Sequence, residues 1–202
     1  MSASTFATLD MRLKSATSLA ARISYTSTSG ITGERTEVSG SVFVPNDVPP
    51  KGGWPIIVFG HATVGMRPEC GPSGSSTLLG LSTSVTALVK AGYVVSLPDY
   101  QGLGPGTPGH PYADATTAGY NVIDAARAAH RLVPDSSDRW LAVGISQGGQ
   151  AAWAANELGA RYGTGLTLVG TVSLSPATDL TGLAAAAAAG SLDFGKQRQP
   201  AR

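Results

Sequence analysis

The sequence predicts an α/β fold, a mainly parallel sheet with helices on both faces and an N-terminal antiparallel hairpin along one edge. Three observations lead there. A short, wholly apolar run at residues 54–60 and mainly apolar runs at 93–97 and 141–145 read as strands covered on both faces. Helical apolar spacing falls between them, and Gly/Pro-rich loops separate the two kinds of segment. Strands alternating with helices generate parallel neighbours, because each crossover returns the chain to the same end of the sheet.

In chain order, residues 23–28 and 36–45 are β-rich and flank Ser29-Gly30-Ile31-Thr32-Gly33, which supplies turn chemistry for a hairpin. Residues 46–53 form a Pro/Gly loop before the strand at 54–60, and a long Gly/Pro/Ser loop follows at 61–76. Leu78, Leu81, Val85 and Leu88-Val89 predict a helix over 77–91, ended by Gly92 at C′. The strand at 93–97 runs into Pro98-Asp99-Tyr100-Gln101-Gly102 and a second Gly/Pro loop. Residues 112–132 are the clearest helix, with Val122, Ala126, Ala129 and Val133 on one face. A strand at 141–145, a helix from Gln150 and a strand at 166–174 complete the order β-β-β-α-β-α-β-α-β.

At 202 residues the chain is one domain's worth, 42% apolar, only 13% charged, and net +1. It has no basic patch, which argues against nucleic acid as a partner. Cys70 is the single cysteine, so no disulfide can form within the chain, and without a second thiol or clustered His it does not suggest a metal site. Residues 1–22 mix small, polar and charged types and contain no apolar signal-peptide core. No run reaches 18 consecutive apolar residues, which predicts no transmembrane segment.

Gly144-x-Ser146-x-Gly148 is the motif that carries chemistry. With 26 glycines the pattern alone is close to chance, but here it lies between a predicted strand and a predicted helix, where a tight turn exposes the serine hydroxyl. The carboxyl ends of the parallel strands present His61, Asp99, Ser146 and Ser175 on one edge, where open α/β sheets place their sites.

Several spaced segments extend the pattern: Gly60-His61-Ala62-Thr63-Val64-Gly65, Cys70-Gly71-Pro72-Ser73, Pro98-Asp99-Tyr100-Gln101-Gly102-Leu103-Gly104, His110-Pro111-Tyr112, Gly144-Ile145-Ser146-Gln147-Gly148-Gly149 and Ser175-Pro176-Ala177-Thr178-Asp179-Leu180. In this order they resemble the secretory lipase family of α/β-hydrolases. The resemblance implies a secreted serine carboxylic-ester hydrolase acting on an ester or lipid substrate, with no cofactor and no metal. Ser146 would attack the acyl carbon. The oxyanion would be held by the backbone N–H of Gln147 and by a protonated Asp99 side chain, which burial makes possible. One departure is Ala62, where the family usually has glycine.

In this fold the acid and histidine of the triad follow the serine in chain order. After Ser146 the sequence holds Glu157, Asp179 and Asp193 but no histidine. The chain thus reads as a C-terminally truncated member: an N-terminal segment at 1–22, an α/β-hydrolase core at 23–176, and the start of a lid with a polar tail at 177–202. Candidate bases are His110, the better placed, and His61, or a group from a neighbouring chain; each histidine reads first as holding a loop. Asp99 can equally cap the turn that follows it, and Asp179 a helix. Tyr93, Trp140 and Trp153 read as packing residues. The alternative function is an incomplete acyl-ligand-binding module, because a serine without a base is a poor nucleophile. A strand at 166–174 left on the sheet edge would favour homo-oligomers.

Overall fold

The computed structural model describes residues 1–191. Its seven strands are β1 (Ser2–Thr5), β2 (Thr17–Thr28), β3 (Arg35–Pro45), β4 (Trp54–Gly60), β5 (Val94–Pro98), β6 (Ser136–Ile145) and β7 (Thr167–Leu174), and they form one sheet in the order β1-β2-β3-β5-β4-β6-β7. β1, β2, β3 and β5 pair antiparallel, whereas β5, β4, β6 and β7 are parallel. The expected α/β class and N-terminal hairpin are both present.

Period-two alternation in the central strands divides the core into two layers. Ile56, Val58, Val94, Trp140 and Ala142 face helices α3 (Ala115–Leu132) and α4 (Gln147–Tyr162). Ile57, Phe59, Val95 and Leu97 face helices α1 (Met11–Ala16) and α2 (Ser82–Lys90), together with Leu13, Val85 and Val89. The predicted α3 face is fully inside: Val122, Ala126, Ala129 and Val133 are all buried. Its alanines let α3 lie close on the sheet, so Ala125 O accepts a hydrogen bond from buried Ser96 Oγ at 3.2 Å. Burying one Val or Ile side chain of this kind contributes about 1.5–3 kcal/mol.

Element boundaries moved where a short-range interaction overrode periodicity. β2 begins at Thr17, and residues 1–22 contribute β1, α1 and the first part of β2 to the sheet region. Asp10 caps α1 by accepting the N–H groups of Arg12 at 3.0 Å and Leu13 at 3.1 Å, which aims Leu13 into the core. The helix expected from 77 starts at Ser82, because Leu78 and Leu79 take left-handed φ of 53° and 54° in a separate 3₁₀ turn. α3 starts at Ala115, capped by Asp114, which accepts from the Thr117 N–H at 2.8 Å. Ala184–Ala188 lie in helix α5 (Thr181–Ala188), and the polar tail expected at 192–202 lies outside the described residues. No helix is long and apolar enough to cross a membrane among the described residues.

β7 is an edge strand among the described residues, with Val169, Val172 and Leu174 each nearly half exposed. Such an edge offers unpaired backbone groups beside apolar side chains. Association through it is expected in sedimentation velocity, and Val172→Lys should return the chain to a monomer; a monomeric wild type would overturn this. In the core, Ile56→Ala is expected to cost about 2–5 kcal/mol in denaturant unfolding, since Ile56 is completely buried at the middle of the sheet.

Candidate active site

The last residues of β4, β5, β6 and β7 deliver His61, Asp99, Ser146 and Ser175 to one edge of the sheet. Ser146 is the single residue between β6 and α4, at φ 56° and ψ −115°. A non-glycine residue there costs on the order of 1–3 kcal/mol and persists only where its surroundings hold it. They do so here through Ser146 N–H to Leu174 O at 2.9 Å and Ala177 N–H to Ser146 O at 3.3 Å. The turn also needs glycine beside it. A Cβ on Gly144 would lie 1.9 Å from Gly148 O, and one on Gly148 would lie 2.0 Å from Gly60 O. The motif therefore records backbone-on-backbone packing.

α4 begins immediately after Ser146, with no side chain capping it. The first N–H groups of a helix lack intrahelical partners and carry partial positive charge. Those of Gln147 onward thus form a donor set beside the serine, suited to an oxyanion. Ser146 Oγ itself makes no hydrogen bond within the described residues.

His61 is completely buried, its Nδ1 2.7 Å from Ala62 O and its Nε2 3.3 Å from Asp99 O. Burial holds its pKa below the ordinary histidine value, against the opposing pull of these carbonyls. The neutral ring has a single N–H and can donate to only one of these carbonyls, and His61 makes no hydrogen bond to Ser146.

Asp99 is also fully buried. Its Oδ2 accepts from Ser39 Oγ at 2.6 Å and Ser73 Oγ at 2.5 Å, and its Oδ1 accepts from the Ser73 N–H at 2.8 Å. Burial raises its pKa, while these hydrogen bonds from Ser39 and Ser73 oppose the rise. Both oxygens thus join the Ser73 loop to β3, and no hydrogen bond links the carboxyl to Ser146 or Gln147. The donor role implied by the resemblance would require a protonated Asp99 to turn out of this cage.

His110 meets the residue next to the serine. Its Nδ1 lies 2.8 Å from Gln101 O and its Nε2 2.8 Å from Gln147 Nε2. A carbonyl only accepts, so Nδ1 carries the proton, and the Nε2 lone pair accepts from the Gln147 amide. Burial lowers its pKa, partly offset by the Gln101 carbonyl.

The sequence reading missed the supports of this arrangement. Tyr100, buried at φ 69°, stands between the rings of His61 (centroids 4.5 Å apart) and His110 (6.3 Å). Asn121, a polar residue inside the alanine-rich face of α3, was the one visible signal. His130 bonds Ser136 Oγ at 3.0 Å, on β6's first residue and away from the site. Asp179 accepts the Thr181 N–H at 2.9 Å but lies one residue before Leu180, which is the N-cap of α5, so it is not the N-cap it was expected to be. Trp153, expected to pack, is half exposed, and its indole N–H donates to Glu157 at 2.9 Å. With Ala115, Gln150, Pro176 and Thr178 it lines a groove of about 380 Å³, one helical turn along α4 from Ser146. No group of three His, Cys, Asp or Glu residues could hold a metal ion among the described residues.

The secretory lipase family model matches residues 74–193 of the chain. A curated Mycobacterium tuberculosis protein named "probable inactive lipase" is 34% identical over 154 residues, covering 69% of this chain and 33% of that protein. The rice cell wall degrading esterase LipA of Xanthomonas oryzae superposes with a TM-score of 0.63 at 27% identity, over 78% of this chain and 42% of that one. Candida antarctica lipase A superposes with a TM-score of 0.71 at 17% identity, over 85% of this chain and 40% of that one, a likeness of fold. The chain thus spans about a third of the length of the curated relative it matches.

The depressed histidine pKa values set a pH dependence. In the window below about 6.5 the unfolded chain takes up the protons of His61 and His110 before the folded chain does, so their contribution to stability is lost as pH falls. Raised Asp99 acts with the opposite sign, because there the folded state binds its proton first. The difference between wild type and His110→Gln isolates one histidine: the variant should lose less melting temperature than wild type between about pH 7.5 and 5.5. Equal losses would contradict this.

Proposed function

The chain belongs to the secretory lipase family, and from that premise we propose that Ser146 is the nucleophile of a secreted carboxylic-ester hydrolase. The single observation that supports this most is Ser146 itself, held at φ 56° between β6 and the uncapped start of α4. In the proposed reaction Ser146 Oγ bonds to the acyl carbon as its proton passes to a base. The tetrahedral oxyanion is held by the N–H of Gln147, the C–O bond breaks, and the alcohol leaves with a proton. Water then hydrolyses the acyl-enzyme by the same steps. One oxyanion donor of this kind is worth roughly 10²–10³ in kcat. The groove lined by Trp153, Pro176 and Ala115, which comes within one helical turn of Ser146 at Gln150, is the site this reading gives to the acyl chain.

Of the three histidines, His110 is the in-chain base this reading would use. It meets the geometric requirement only if Gln147 releases Nε2, which it occupies at 2.8 Å. His61, completely buried with carbonyls beside both ring nitrogens, is the weaker candidate.

A second reading is favoured by a specific observation: no histidine hydrogen-bonds Ser146 Oγ. A module that binds acyl groups without turnover fits this, and it agrees with the name of the M. tuberculosis relative. Labelling with a fluorophosphonate followed by mass spectrometry separates the two, because such probes require an activated serine. The hydrolase reading expects stoichiometric modification of Ser146, abolished in Ser146→Ala and strongly slowed in His110→Ala. A folded chain that remains unlabelled would leave the binding reading standing.

A further inference from the structure

We infer that Asn121 is a positioning residue for the site, holding His110 in one tautomer and one orientation against Gln147. The inference rests on the reading of Gln147 as the oxyanion residue.

Asn121 lies in the middle of α3, fully buried, with every polar group engaged. Its Nδ2 donates to Ser27 Oγ on β2 at 2.9 Å, its Oδ1 accepts the Gln101 N–H at 2.8 Å, and its backbone carbonyl accepts from Tyr25 Oη at 3.0 Å. The Gln101 backbone N–H can only donate, so the orientation of the Asn121 amide is determined. The carbonyl of the same residue, on the next peptide unit, accepts from His110 Nδ1 at 2.8 Å, and His110 Nε2 accepts from the Gln147 side chain at 2.8 Å. Gln101 is followed by Gly102 at φ 80°, where a Cβ would fall 2.2 Å from the backbone nitrogen of His110. The turn at 101–102 and the segment at 109–110 therefore pack backbone to backbone, and Asn121 ties that pair to the core.

These hydrogen bonds, joined at Gln101 through its Cα, connect β2, α3 and two loop segments to the first turn of α4. A misplaced Gln101 carbonyl would free the His110 proton to move to Nε2, where it would confront the Gln147 amide donor. The groups that face His110 are the rings of Tyr100 and Tyr112 and the Gln147 amide, with His61 behind Tyr100. None of these is an anion near neutral pH, so hydrogen bonding alone sets the tautomer there.

Nitrogen-15 NMR of the His110 ring, in the 202-residue protein near pH 8, reads this directly. Wild type should show one tautomer, Nδ1 protonated and Nε2 bare. Asn121→Leu should give averaged ring nitrogens and at least tenfold slower fluorophosphonate labelling of Ser146. Asn121→Asp retains an oxygen for the Gln101 N–H and should restore both. Should Asn121→Leu fail to fold, Ser27→Ala removes one support and should shift the tautomer balance in the same direction. A folded Asn121→Leu or Ser27→Ala protein that keeps the wild-type ring signature overturns the inference. If wild type shows no labelling at all, the hydrolase reading fails, while the ring signature still decides the role of Asn121.

Discussion

Backbone contact at Gly60, Gly144 and Gly148 is the constraint from which the site follows. Only where a chain has no Cβ can the end of β4, the end of β6 and the first turn of α4 approach to these distances. That approach allows α4 to leave β6 after a single residue, and the single residue is Ser146. Its strained backbone, its freedom from side-chain partners and its position beside the helix N-terminus are consequences of one packing arrangement.

Around that arrangement the protein buries ionisable groups beside polar partners. A buried carboxyl or imidazole is costly unless hydrogen-bonded. Asp99 has Ser39 and Ser73 around it, and His61 has two carbonyls. These contacts tie the loop after β4 to β3 and to the end of β5, beside backbone bonds such as Asp99 N–H to Ser39 O at 2.9 Å. On the other side of the serine, His110 and Gln147 form a second polar contact anchored through Gln101 to Asn121. The nucleophile thus sits between two pinned loops, with the Trp153 groove open beside it.

Family likeness and the local chemistry bear on different levels of function. Membership rests on the family match over residues 74–193 and on the 34% identical relative, and it speaks to ancestry and fold. Turnover depends on whether a proton acceptor reaches Ser146 Oγ. In the structure the available lone pair of His110 is occupied by Gln147, so fold and motif can persist where a base does not engage.

The sequence alone determined the α/β class, the order of the central strands and helices, the buried face of α3, and the placing of His61, Asp99 and Ser146 on one edge. Each of these follows from periodicity, or from a turn residue within a few positions. Tertiary structure decided what those residues touch. Asp99 faces Ser39 and Ser73, 60 and 26 residues away, and Asn121 joins Ser27, 94 residues away, to Gln101. The N-terminal residues joined the sheet through pairing of β2 with β3, from Thr17↔Pro45 to Thr28↔Arg35. Trp153 stayed exposed because nothing among the described residues covers that part of α4. A hydrogen bond between distant segments leaves no period in the sequence, so these contacts become visible only when the strands have brought their ends together.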